Sequence, residues 1–180
     1  ETCANIGNML FNWRMLEVTG DAKYAELVET CLYNSVLSGI SLDGKRYFYT
    51  NPLRISADLP YTLRWPKERT EYISCFCCPP NTLRTLCQAQ NYAYTLNDEG
   101  IYCNLYGANT LTTHWKDKGE IVLTQETDYP WDGNVRVRLN KLPRKAGAFS
   151  LFFRIPEWCE KATLTVNGEP VQIAAKANTY

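Results

Sequence analysis

The sequence predicts an α + β chain in two successive parts: residues 1–96 mostly helical, residues 97–180 rich in short strands. Three observations carry that reading. Apolar residues recur at spacings of three and four through the first part. After Asn97-Asp98-Glu99-Gly100 they alternate with polar residues instead. The composition, 45% hydrophobic and 21% charged over 180 residues, is that of a folded globule able to fill its own core.

The helical elements follow in order. Ile6, Met9, Leu10, Trp13 and Leu16 mark one face of a first helix, which Gly20 stops. Asp21 can cap a second helix carrying Tyr24, Leu27, Val28, Cys31, Leu32 and Val36 on one stripe, fading at Gly39. Residues 41–75 are irregular, because Pro52, Pro60 and Pro66 each break a helix. A third helix starts at Pro79-Pro80 and runs through Leu83, Leu86, Cys87 and Ala89 to about Tyr94.

In the second part, Ile101–Tyr106, Glu120–Thr127, Asn134–Leu139, Ser150–Ile155 and Ala162–Val166 are strand-like. Asn167-Gly168 is a two-residue hairpin signal before Val171-Gln172-Ile173. Several short strands at this spacing imply an antiparallel β-sandwich.

Charge excludes some partners. Nineteen basic and nineteen acidic residues give zero net charge with no basic run, so neither nucleic acid nor an anionic membrane surface is expected to bind. No apolar run approaches the roughly 18 residues that span a bilayer, and no leader is visible. The chain opens on Glu1-Thr2-Cys3-Ala4 without a lead-in and stops soon after a strand-like run, which reads as a piece of a longer protein. Half of a larger helical assembly would leave apolar faces uncovered, so the piece alone is expected to dissolve poorly.

Eight cysteines, at 3, 31, 75, 77, 78, 87, 103 and 159, keep a disulfide framework arithmetically open. A chain with 12 Tyr, 6 Phe and 5 Trp has core material enough to do without one. The dense cluster is Cys75-Phe76-Cys77-Cys78-Pro79-Pro80-Asn81. Neighbouring residues point apart in a strand or a helix, so Cys77 and Cys78 can converge only in a turn. Pro79 disfavours the α region at Cys78 and Pro80 suits a first helical turn, which places the pair at a helix start. There the unpaired N–H groups and the helix dipole favour a thiolate. Glu1 and Cys3 offer a carboxylate and a thiol in a capping position ahead of the first helix. Glu1, Cys3, Cys77 and Cys78 are donors enough for a tetrahedral zinc site, although the paired C-x-x-C spacing of zinc ribbons is absent. Cys75 reads as a small buried hydrophobe, and so do Cys31, Cys87, Cys103 and Cys159.

Glu1-Thr2-Cys3-Ala4, Leu32-Tyr33-Asn34 with Leu37-Ser38-Gly39, Phe48-Tyr49-Thr50-Asn51-Pro52-Leu53 and the Cys75–Asn81 run occur in this order. Together they resemble the β-L-arabinofuranosidases of glycoside hydrolase family 127 and their relatives in family 146. The resemblance implies the C-terminal part of an (α/α)6 barrel followed by β-sandwich domains. It implies a retaining exo-glycosidase acting on arabinose-containing glycans, with Zn2+ held by Glu1, Cys3, Cys77 and Cys78 and with Cys77 as nucleophile. Tyr49 and Glu29 match residues near the sugar. The family's acid/base glutamate and the histidines lining its sugar pocket match nothing here and would lie upstream of Glu1.

Plainer readings stand beside these. His114, the single histidine, is expected to be structural or at the surface. Glu29 alone would be a solvated helix residue, and Tyr49 a core aromatic beside Tyr47 and Phe48. Trp65, Trp131 and Trp158 could stack on sugars, but beside prolines they read as loop anchors. A non-catalytic reading keeps zinc as a structural ion and the strand-rich part as a carbohydrate-binding or packing module.

Overall fold

A computed structural model describes all residues except 55, 57–61, 63, 116, 117 and 143–146. Pro60 therefore lies outside the described residues. The chain divides into two compact units, Glu1–Asn91 and Tyr92–Tyr180.

The first unit holds α1 (Thr2–Thr19), α2 (Ala22–Cys31) and α3 (Cys78–Gln88). Gly20 ends α1 with φ 68°, in the left-handed region that costs glycine nothing, and its N–H donates to Leu16 O at 2.8 Å. Asp21 caps α2 by accepting from the Lys23 N–H at 3.1 Å. The chain then widens into a π-helical turn, Leu32–Val36, and tightens into a 3-10 turn, Leu37–Gly39. Such π turns are rare and frequent at functional sites, and the Leu32-Tyr33-Asn34 motif falls on this one.

Ile6, Met9, Trp13 and Leu16 of α1 are buried, as are Val28, Cys31, Leu32 and Val36 after it. Leu10 and Leu27, expected on the same stripes, are exposed. The third helix departs further. Its buried positions are Cys78, Thr82 and Thr85, while Leu83 and Cys87 face outward. Spacing alone had favoured the apolar face over the small polar one. The helix also ends earlier, with a 3-10 turn over Ala89–Tyr92.

The second unit holds β1 (Tyr94–Leu96), β2 (Gly100–Cys103), β3 (Asn109–His114), β4 (Glu120–Glu126), β5 (Arg136–Lys141), β6 (Ser150–Phe153), β7 (Leu164–Val166) and β8 (Glu169–Val171). They form sheets in the orders β1-β2-β6, β3-β4-β5 and β7-β8. Tyr94, read from sequence as about the end of the third helix, instead opens the strand Tyr94–Leu96, because Asn97 turns the chain. Its side chain accepts from the Glu99 and Gly100 N–H groups and sets the Tyr94↔Cys103 register. The β3 strand was hidden by its run of threonines, yet it pairs with β4 along its whole length.

One pairing departs from the antiparallel expectation. β2 runs parallel to β6, Ile101 opposite Leu151, after a crossover through β3, β4 and β5. The approach is tight at Gly100, where an added Cβ would meet Ser150 O at 2.0 Å. Ile101, Cys103, Ile121 and Leu123 are fully buried. Polar groups are buried beside them: Arg154 Nε donates to Asn104 O at 2.7 Å, and Gln125 Nε2 to the Tyr94 hydroxyl at 2.6 Å. The Asn167-Gly168 turn has φ of 54° and 89°, as a type I′ hairpin needs. Among the described residues no helix is long and apolar enough to cross a membrane.

Candidate metal centre

Two helix starts supply the centre. Glu1 is the N-cap of α1 and Cys3 sits in its first turn. Cys77 is the N-cap of α3 and Cys78 its first residue, with proline following. Pro79 thus does not keep Cys78 out of the helix. Its preference is a bias on the preceding residue, and at a helix's first position it is overcome. The ligand atoms of Glu1, Cys3, Cys77 and Cys78 all lie within 4.8 Å of one another. The Cys3 thiol is 3.5 Å from Cys78 Sγ, 75 positions away in sequence, and Cys77 Sγ is 3.6 Å from Cys78 Sγ.

Hydrogen bonds anchor the first start to the chain at Phe48 and Tyr49 and to α3. The Thr2 N–H donates to Tyr49 O at 3.0 Å, and the buried Thr2 hydroxyl donates to Phe48 O at 2.9 Å. Asn81, one turn into α3, donates from Nδ2 to Cys3 Sγ at 3.1 Å. The sequence reading quoted Asn81 within its motif and gave it no task. Its signal was its place three residues after Cys78, the spacing that returns a side chain to the same helix face.

Burial decides the protonation of Cys78. It is fully buried, and loss of hydration pushes its thiol well above the ordinary cysteine value, with Cys3 and Cys77 as lesser influences. The helix start therefore does not by itself yield a thiolate at Cys78, contrary to the dipole argument. A bound cation would reverse that balance, because coordination deprotonates a thiol outright. The donor set of three thiols and one carboxylate suits a metal ion that accepts sulfur.

Tyr49 adjoins the centre. Its phenol is pushed up by lost hydration first, then by the neighbouring Glu1 carboxylate and the thiol cluster. Its ring is 4.5 Å from that of Trp65. Both line a cavity of about 200 Å³ with Pro66, Glu68, Thr70, Tyr72, Ile73 and Ser74. Glu29 is 4% exposed, so it is no solvated helix residue, and it stands outside the four-donor cluster. Its charge raises the Tyr33 phenol, behind lost hydration. Cys75 is half-buried with its Sγ 3.6 Å from Cys77 Sγ, so it belongs to the thiol cluster and not to the packed core. All eight cysteines are free. His114 is exposed at the end of β3, opposite Glu120.

The comparisons agree on what class of protein builds such units. A solved structure described as "Glycoside hydrolase" matches 100% of this chain and 30% of its own, at TM-score 0.95 and 91% identity. A GH127 β-L-arabinofuranosidase from Geobacillus stearothermophilus T6 matches 99% of this chain and 28% of its own, at TM-score 0.83 and 37% identity. A "Non-reducing end beta-L-arabinofuranosidase" of Bifidobacterium longum subsp. longum is 35% identical in an alignment of 178 positions that covers 94% of this chain and 26% of that protein. The chain thus spans between a quarter and a third of the length of these relatives. The profile described as "Beta-L-arabinofuranosidase, GH127 catalytic domain" matches residues 1–91, and "Beta-L-arabinofuranosidase, GH127 middle domain" matches residues 100–180. The chain belongs to the β-L-arabinofuranosidase family GH127.

Proposed function

We propose that this chain carries the nucleophile of a zinc-dependent retaining exo-glycosidase that removes terminal β-L-arabinofuranosyl residues from arabinose-containing glycans. The observation that carries the reading is the convergence of Glu1, Cys3, Cys77 and Cys78 within 4.8 Å. The donor set fits zinc. Zinc–thiolate bonds of about 2.3 Å at tetrahedral angles put sulfurs about 3.8 Å apart. The Cys3–Cys78 and Cys77–Cys78 separations are 3.5 and 3.6 Å. In this reading residues 1–96 are the C-terminal part of an (α/α)6 barrel and residues 97–180 begin a β-sandwich.

When bound, zinc would hold Cys77 as a thiolate and temper it, rather than activate water. Cys77 is half-buried where Cys78 is fully buried, so of the two thiols at the start of α3 Cys77 is the one open to an incoming sugar. Its Sγ attacks the anomeric carbon and displaces the aglycone oxygen, which takes a proton from an acid/base group supplied upstream of Glu1. Water, giving its proton to that same acid/base group, then attacks from the face the aglycone left, opposite the sulfur, and returns the Cys77 thiolate, so the configuration is retained. Asn81 restrains Cys3. Tyr49 and Glu29 are assigned to the sugar.

Replacing Cys77 with Ser in the full-length protein tests the reading. L-arabinose release from an aryl β-L-arabinofuranoside should fall by more than about a thousandfold. A slow substrate should leave a pentosyl adduct on Cys77 of the unmutated protein by mass spectrometry. Turnover near the unmutated rate would overturn the nucleophile assignment and leave zinc a structural role.

A further inference from the structure

Cys75 is the thiol that the four-donor cluster leaves over. Its Sγ lies 3.6 Å from Cys77 Sγ, both residues are half-buried, and both sit on the bend and turn that precede α3. Phe76 between them is 67% exposed, so the turn reaches solvent. We propose that Cys75 and Cys77 form a reversible dithiol–disulfide couple, an oxidation site that reacts with small-molecule disulfides such as oxidised glutathione.

The exchange balances. One of the two thiols, as its thiolate, attacks a sulfur of the reagent disulfide, and a reagent thiolate leaves. The other then attacks the resulting mixed disulfide and expels the second reagent thiolate. A Cys75–Cys77 bond has formed, the protein has lost two electrons and two protons, and the reagent has become two thiols.

Local geometry favours this pair over its neighbours. The two residues are one position apart from adjacency, so closing the ring orders little additional chain. The sulfurs need to close from 3.6 Å to about 2.05 Å. Cys78 is fully buried, so no reagent disulfide reaches it, and as the residue next to Cys77 it could close only a small ring strained across their shared peptide bond. Cys3 is held from two sides, giving its S–H to Cys78 and accepting from Asn81. A metal ion on Cys77 would occupy the sulfur that has to react, so metal loading should protect the pair. The functional consequence rests on the reading above: the disulfide removes one donor and the nucleophile together.

The test uses the full-length protein, with and without prior chelation, treated with oxidised glutathione. Remaining thiols are then alkylated and the peptides mapped by mass spectrometry. The chelated protein should lose two thiols to a Cys75–Cys77 link that dithiothreitol reverses, and zinc loading should slow this at least roughly tenfold. Cys75→Ser should stop at a glutathione mixed disulfide on Cys77. A link between Cys3 and Cys78, a stable mixed disulfide in the unmutated protein, or no thiol loss would overturn the proposal. These readouts are masses, so they stand or fall separately from the glycosidase reading.

Discussion

Cys78 in the helical unit and Cys103 in the strand unit are equally buried, each with no exposed surface, and in both burial pushes the thiol up. They differ in company. Cys78 has two other sulfurs within 3.6 Å. Cys103 sits on β2 across from Tyr94 and Phe153, in a core that also holds Ile101, Ile121 and Leu123. Burial makes a thiol inert unless charge can be shared with a cation. The helical unit gathers four donors that could share one, and the strand unit uses the same residue as filling.

The comparison breaks most sharply on metal binding. Cys78→Ser should weaken zinc by more than about a thousandfold, since four donors share a binding energy of about 10–16 kcal/mol. Cys103→Ala should leave one zinc per chain, read by metal analysis. If the two substitutions affect zinc alike, the distinction fails.

Alkaline pH sharpens it next. The Cys103 thiol is raised from 9.0 to about 12 in the fold. Its contribution is therefore complete below pH 9 and is lost as pH rises towards 12, because the unfolded chain then gains by deprotonating. The full loss is roughly 4 kcal/mol. Denaturant midpoints should fall across that window, and Cys103→Ala should flatten the fall.

Gly100→Ala probes the strand unit alone. The new Cβ would press on Ser150 O, a backbone atom that cannot swing aside, at a cost of about 3 kcal/mol in a urea titration. Zinc content should not change. The smallest effect belongs to Asn81→Ala, which removes the hydrogen bond to Cys3 Sγ. Zinc affinity should drop about tenfold by competition with a chelator, while the melting of the strand unit stays put.

Much of this was legible from residues. Gly20 and Asp21 punctuate the helices as their types dictate, and Asn167-Gly168 turns the last hairpin. The thiols at the start of α3 were placed by the prolines that follow them, Glu1 and Cys3 were legible as further donors for a tetrahedral set, and the family resemblance then singled out Cys77 as nucleophile. What escaped was set by tertiary context. The parallel β2–β6 pairing joins strands separated by three others, and no local pattern records that. The inward face of α3 is Cys78, Thr82 and Thr85, small side chains that an apolar periodicity weighs the wrong way. Cys75 was assigned to the core although a spacing of two puts residues on one side of an extended segment, and Cys77 is its neighbour there.

The Thr2 clamp has a consequence in time. Cys3 and Cys78 are 75 positions apart, and joining the ends of such a loop costs about 4 kcal/mol of chain entropy before any reward. During synthesis Glu1 and Cys3 emerge long before Cys77 and Cys78, so early in its life the chain holds half a coordination sphere. The hydrogen bonds from Thr2 to Phe48 and Tyr49 bring the first half to a point midway along the loop, shortening the remaining search. An ion gripped by all four donors is then a record that the topology has closed, a checkpoint as much as a reagent.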